Sequence, residues 1–122
     1  MAAQGIRSQG KGRSMNNPAA GGKKLKRKIR ELCGTAYERE MRRHLDVLFN
    51  QFHEWSKGAL TTWDLVDHIH TFHDGNARKL YNFYQDPNEF VVAYAVSEKL
   101  IELSDVPEEL RDTIRKIKDS LR

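Results

Sequence analysis

The chain is short of several things, and each shortage narrows what it can be. It has one cysteine, Cys33, in 122 residues. A lone cysteine closes no internal disulfide, so the fold must rest on packing, and the composition suits a reducing compartment. The longest unbroken apolar run is Phe90–Val96, whereas a helix crossing a membrane needs about 20 apolar residues. The basic N-terminus has no apolar stretch behind it and does not read as a secretory signal. These features predict a cytoplasmic protein without a membrane span. Paired Cys-x-x-Cys, His-Glu-x-x-His, nucleophile triads and Ser-centred elbows are missing. Gly10-Lys11-Gly12 follows no strand and makes no phosphate loop. The expectation is therefore a protein that is not an enzyme and carries no cofactor.

Acid is absent from residues 1–30, which hold nine of the 21 Lys/Arg, so the other twelve face all 17 acids from Glu31 onward. The net charge of +4 thus joins a basic leader to an acidic domain. Residues 1–22 contain five of the eight glycines, and Ile6 is their one large aliphatic residue. Such a segment buries too little apolar surface to offset its ordering entropy. It is expected to be a disordered basic tail, with Met15 an alternative start, ahead of one domain over 23–122.

From Lys23 the apolar spacing is helical. Leu25, Ile29, Leu32 and Ala36 form one stripe; Tyr37, Met41, Leu45, Leu48, Phe52 and Trp55 form another. At about 100° per residue the second is centred roughly 150° around the helix from the first. The switch falls at Gly34-Thr35, two weak helix formers. Either the helix breaks there, or one long helix shows opposite faces to two partners. An unbroken helix over 23–57 would outrun a compact domain, so segment 23–35 is expected to project or fold back. Its face of Leu25, Ile29 and Leu32 would then need a partner in the chain or outside it.

Lys57-Gly58 reads as a helix end and Thr61 or Thr62 as the next cap. The second helix, with Leu65, Ile69 and Phe72, is expected to stop at Asp74-Gly75. Asn76 would cap a short third helix carrying Ala77, Leu80, Tyr81 and Tyr84. Asp86-Pro87 restarts the chain into a fourth helix over about 88–103, whose all-apolar Phe90–Val96 predicts a central place. A buried strand competes for that run, but no second strand is on offer to pair with it. Asp105-Val106-Pro107-Glu108 begins a last helix with Leu110, Ile114, Ile117 and Leu121 on one face. Asp112–Lys116 and Arg115–Asp119 are expected ion pairs on its wet side. The predicted fold class is all-α: four or five helices with a helical hairpin over about 36–57 and 61–73.

Four features could carry chemistry. Lys23, Lys24, Lys26, Arg27, Lys28 and Arg30 form a basic run suited to nucleic-acid phosphates, without aromatics for base stacking. His70 and His73 share a helix face, and folding the hairpin at Gly58 could bring His44 to them. With Asp74, Asp67 or Glu40 nearby, that set could hold a divalent transition metal, although histidines edging a core more often serve structure. The aromatic residues are expected to be core first, with Trp63 as a surface anchor if any. Cys33 is expected to be a passive thiol. The leading expectation is a helical protein-interaction module, self-associating or bound to another protein. Nucleic-acid association through the basic segment and metal chemistry at the histidines are the alternatives.

Overall fold

The computed structural model describes residues 18–121. Five α-helices account for most of them, and there is no strand among the described residues. They are α1 (Pro18–Ser56), α2 (Thr62–Phe72), α3 (Arg78–Phe83), α4 (Glu89–Ser97) and α5 (Glu108–Ser120). The all-α expectation holds.

The first helix does not break at Gly34-Thr35. It runs 39 residues from Pro18 to Ser56, about 58 Å at 1.5 Å per residue. Proline suits a first helical turn, where its missing N–H would have no partner. The helix therefore starts inside the segment expected to be disordered, while the rest of that expectation, residues 1–17, lies outside the described residues. The two stripes meet different neighbours: the N-terminal half of α1 lies on α4 and the rest on α3 and α2.

The core forms around the first stripe. Leu32, Cys33 and Ala36 of α1 are buried with Leu80, Tyr84, four residues of α4 (Val91, Val92, Ala93, Ala95), Leu100, Ile101, Val106 and Ile114. Ile29 packs against the rim of this cluster. So the segment expected to project or fold back is packed through Ile29 and Leu32, and the second half of α1 runs on beyond this cluster with α2 alongside. The physical reason is composition: most of the aliphatic residues that bury around the first stripe lie in α4, α5 and their connection, with Leu80 added from α3.

The chain from Thr62 to Phe83 also departs from expectation. Asp74-Gly75 does not end a helix; His73–Ala77 form one π-helical turn between α2 and α3, and the flanking residues Phe72, His73, Ala77 and Arg78 all keep right-handed helical dihedrals. The apolar spacing explains the turn. Phe72 and Ala77 are five apart, too far for a 3.6-residue turn and matched to the i→i+5 bond of a π turn. The inserted residue brings Ala77, Leu80 and Tyr84 back into line with Leu65, Ile69 and Phe72.

The fourth helix begins where expected, at Glu89, and ends earlier. Asn88 caps it, its side-chain oxygen accepting from Val91 N–H at 3.1 Å. It stops at Ser97 in a Schellman motif: Leu100 N–H donates to Ala95 C=O at 2.9 Å and Lys99 N–H to Val96 C=O at 3.0 Å. Lys99 takes the left-handed position with φ 61°, a place where glycine is usual. Phe90 points to solvent while the rest of the run is buried or half-buried. In α5, Ile114 is fully buried and Leu121 exposed. The expected i,i+4 pairs do not form; Arg115 reaches back to Asp112 at 2.7 Å.

Candidate interaction surface

Beyond the core, the second half of α1 and α2 make a two-helix arm. Its tip is a second Schellman motif. Ala59 N–H donates to Glu54 C=O at 2.9 Å and Gly58 N–H to Trp55 C=O at 3.0 Å, with Gly58 at φ 83°. Thr61 Oγ1 caps α2 by accepting from Asp64 N–H at 3.0 Å. The Trp55 indole N–H donates to Thr62 Oγ1 at 3.1 Å, which latches the two helices at the tip. Within the arm Leu65 is the one buried hydrophobic residue among the described residues, so its interior is a single layer of side chains.

That layer leaves an apolar surface open. Phe49 is 70% exposed, Trp63 83%, Leu45 46%, Phe52 41% and Val66 40%. Helical phase places four of these together. Half-buried Met41, His44, Leu48 and Gln51 mark the line of α1 that faces α2, and Leu45, Phe49 and Phe52 lie about 60 to 120° past it at 100° per residue. On α2, Leu65, Ile69 and Phe72 mark the line facing α1, and Val66 lies past it in the same sense. In an antiparallel pair, the same sense of rotation on both helices leads to the same side of the hairpin. Leu45, Phe49, Phe52 and Val66 thus share one side, and Trp63 stands further round on the outer flank of α2. Most of the aromatic set expected in the core is therefore outside it; Tyr84 is the aromatic residue in the buried cluster. The missed signal is that Phe49 and Val66 flank the packing stripes.

Where the arm leaves the core, α1 is tied down by polar groups. Tyr84 and Tyr94 donate their hydroxyls to the two oxygens of Glu40, at 2.8 Å and 2.6 Å. Burial first, then the bond to the Glu40 carboxylate, pushes both phenols well above the ordinary tyrosine range. Tyr37 and Phe83 pack edge-on against Tyr84, with ring centres 5.5 Å and 5.0 Å apart. Arg39 donates to Leu100 C=O at 2.7 Å and Arg43 to Glu98 C=O at 3.2 Å. Both guanidiniums sit at the C-terminal end of α4, where its dipole and its spare carbonyls favour a cation.

The residues singled out by sequence do not all meet. His44 lines a cleft of about 450 Å³ with Glu40, Asn76, Lys79, Leu80, Phe83 and Tyr94. His73 lines a different one, with Tyr37, Met41, Ala77, Arg78 and Tyr81, and its Nδ1 lies 3.3 Å from an Asp74 oxygen. His70 is exposed. Among the described residues no group of three or more His, Cys, Asp or Glu could hold a metal ion. The expected convergence of His44, His70, His73 and Asp74 is thus corrected: the π turn carries the chain on as one rod, so His73 and His44 open onto separate clefts. The interaction face expected at Leu25, Ile29 and Leu32 is corrected too. Leu32 is buried and Ile29 packs on the core, while Leu25 borders a cleft against Pro107 and Glu109.

Lys23, Lys24, Lys26, Arg27, Lys28 and Arg30 are all exposed, and Lys24, Arg27 and Lys28 border the same cleft as Leu25. None of them forms an ion pair among the described residues. Cys33 is buried, and burial raises its thiol above the ordinary value, partly offset by a backbone hydrogen bond at Asn88. No helix among the described residues is long and apolar enough to cross a membrane. Set against protein-family models, curated proteins and solved structures, the chain matches none of them.

Proposed function

We propose that the chain is a non-enzymatic helical interaction module, and that its arm is the binding element. The observation that carries this reading is the aromatic side of the arm, which the described residues leave uncovered. Scattered exposed hydrophobic residues are normal on any surface, but a contiguous apolar patch rimmed by polar groups marks an interaction site. Phe and Trp are also the residue types that dominate interface energetics. Glu40, Arg39 and Arg43 support the same reading, because they hold the base of the arm to the core and so present its face in a fixed direction.

A photoreactive phenylalanine analogue placed at position 49 in cells tests the module. Covalent adducts with protein at position 49, and none at position 116 on α5, are the expected result. An arm that yields no adduct while its expression matches the unmodified chain removes the reading.

The six uncompensated cations on α1 favour a second reading, association with a nucleic-acid backbone. Each neutralised phosphate releases counterions, so binding of a duplex would weaken steeply with salt, with a slope of about −0.9 per phosphate contacted. Changing Lys24, Arg27 and Lys28 to Gln would flatten that slope. Binding that ignores salt would dismiss it.

A further inference from the structure

We propose that the cavity between the core end of α1 and the chain around α3 binds a small aromatic carboxylate. The site lies apart from the arm and does not depend on the module reading. Arg30, Cys33, Gly34 and Tyr37 line it from α1; at i, i+3, i+4 and i+7 they share one face of that helix. Tyr81 and Tyr84 line it from α3 and its C-terminal end. The space is about 290 Å³, at the low end of ligand pockets, which suits one or two rings rather than a larger molecule.

Three observations set the ligand class. The first is the aromatic lining. Tyr37 and Tyr84 meet edge-on, with ring centres 5.5 Å apart and planes at 61°. Two rings at that angle form a corner, where a flat guest can stack on one and meet the edge of the other. The Tyr84 hydroxyl is donated to Glu40, so Tyr84 offers the cavity its ring. Tyr81, 58% exposed, adds a third ring that a guest would cover.

The second is charge. Arg30 is exposed and forms no ion pair among the described residues, and no described residue lining the cavity is an acid. Burial raises the Cys33 thiol, so at neutral pH Arg30 is the one charge in the lining. A guanidinium takes a carboxylate through two parallel N–H···O bonds. The other clefts differ, because their cations have acids close by. At His44, Lys79 shares the lining with Glu40. At His73, Arg78 has Asp74 at 3.9 Å. At Leu25, Lys24, Arg27 and Lys28 share the lining with Glu31 and Glu109.

The third is Gly34. Glycine in a helix interior is less favourable than alanine, yet nothing lies within 4 Å of where a Cβ would stand. Packing among the described residues therefore does not require it. Its bare backbone leaves room on the lining face between Arg30 and Tyr37.

Titration calorimetry of the full chain with cinnamate, and with cinnamamide as its uncharged counterpart, tests the proposal. The expected result is one site per chain with a Kd on the order of 0.1 to 1 mM for cinnamate, the range that ligand efficiency allows so small a molecule. Cinnamamide should bind about fivefold more weakly or worse. Arg30→Gln should remove that preference by weakening cinnamate alone. Gly34→Leu puts a side chain into the cavity from a helix that tolerates it, and should weaken both probes about tenfold or more while the urea midpoint holds or rises. In proton–nitrogen correlation spectra the Gly34 amide should shift with cinnamate, and the Gly58 amide at the tip of the arm should not. Absence of heat and of shifts at ~10 mM cinnamate overturns the proposal. Equal affinity for the two probes overturns it as well, as does binding that moves Gly58 instead of Gly34 or that ignores both substitutions.

Discussion

The two ends of α1 are built on opposite terms. Around Leu32, Cys33 and Ala36 the helix packs on α4 and α3, in a mostly aliphatic core that α5 and the α4–α5 connection complete. Around Phe49 and Phe52 it has α2 as its main neighbour, and its aromatic residues face outward. One end therefore holds the buried core and the other most of the exposed large hydrophobic side chains. Hydrophobicity does not separate them, since the arm carries the larger side chains. What separates them is how many layers of structure lie above the helix.

The sharpest test of that contrast is truncation at each end. Ile114 is fully buried, so Ile114→Ala should destabilise by about 2 to 5 kcal/mol through lost transfer energy and a residual cavity. Phe49→Ala removes a larger side chain, yet in dilute protein it should change stability by no more than about 0.5 kcal/mol, as surface substitutions do. Urea denaturation of both variants decides the matter. Similar losses at both sites would mean that the arm is part of the core.

The junction comes next in size. Glu40→Ala leaves the hydroxyls of Tyr84 and Tyr94 without their acceptor, and hydrogen bonds to a charged group are worth about 1.5 to 3 kcal/mol. A loss of about 2 to 3 kcal/mol is expected, with faster amide exchange in α3 and α4. The same cluster sets an alkaline limit. Both phenols have raised values in the folded chain relative to the ordinary 10.0. A raised value favours the protonated form in the native state, so that contribution is complete below pH 10 and declines as pH rises above it. Unfolding midpoints should fall above pH 10, and Tyr84→Phe should blunt that fall.

Much of this architecture was legible in the residues. The two stripes of α1, the Gly58 turn, the Thr61 cap and the α5 face are local patterns, and local patterns suffice for helices. Three things were not. Gly34-Thr35 left open whether the helix breaks or runs on with opposite faces to two partners, because propensity speaks about isolated helices, and packing on α4 selects the unbroken helix. The π turn needed the five-residue step from Phe72 to Ala77 to be read as a phase correction rather than as two helices. The choice of which half of α1 would be covered depended on where α4 and α5 return, a long-range question that spacing along one helix does not answer. The histidine site failed on the same ground: His44 and His73 sit at similar heights on the hairpin but open onto different clefts.

The two Schellman motifs carry the comparison to a finer scale. The arm closes with Gly58 in the left-handed position and the core end with Lys99 there. Only the better-packed end uses a residue with a Cβ where one is strained. Gly58→Ala should lower stability by about 1 kcal/mol, and Lys99→Gly should raise it by a similar amount. Reversed signs would mean that the chain ends α1 and α4 differently in solution.

The smallest expected effect falls at the boundary between the two regions. Gly34 lies in the interior of α1, and a Cβ added there meets nothing within 4 Å. Glycine inside a helix is less favourable than alanine by about 0.5 to 1 kcal/mol, mostly through the freedom it loses on folding. Gly34→Ala should therefore stabilise the chain by that amount, seen as a higher urea midpoint with an unchanged slope. The arm should keep its own exchange rates, because its packing is with α2 and not with residue 34. A gain at the core end alone would confirm that α1 is one rod shared by two regions of unequal stability. Destabilisation would mean that α1 bends at Gly34 in solution, and that the arm swings on that point rather than being held out by the ties at Arg39, Glu40 and Arg43.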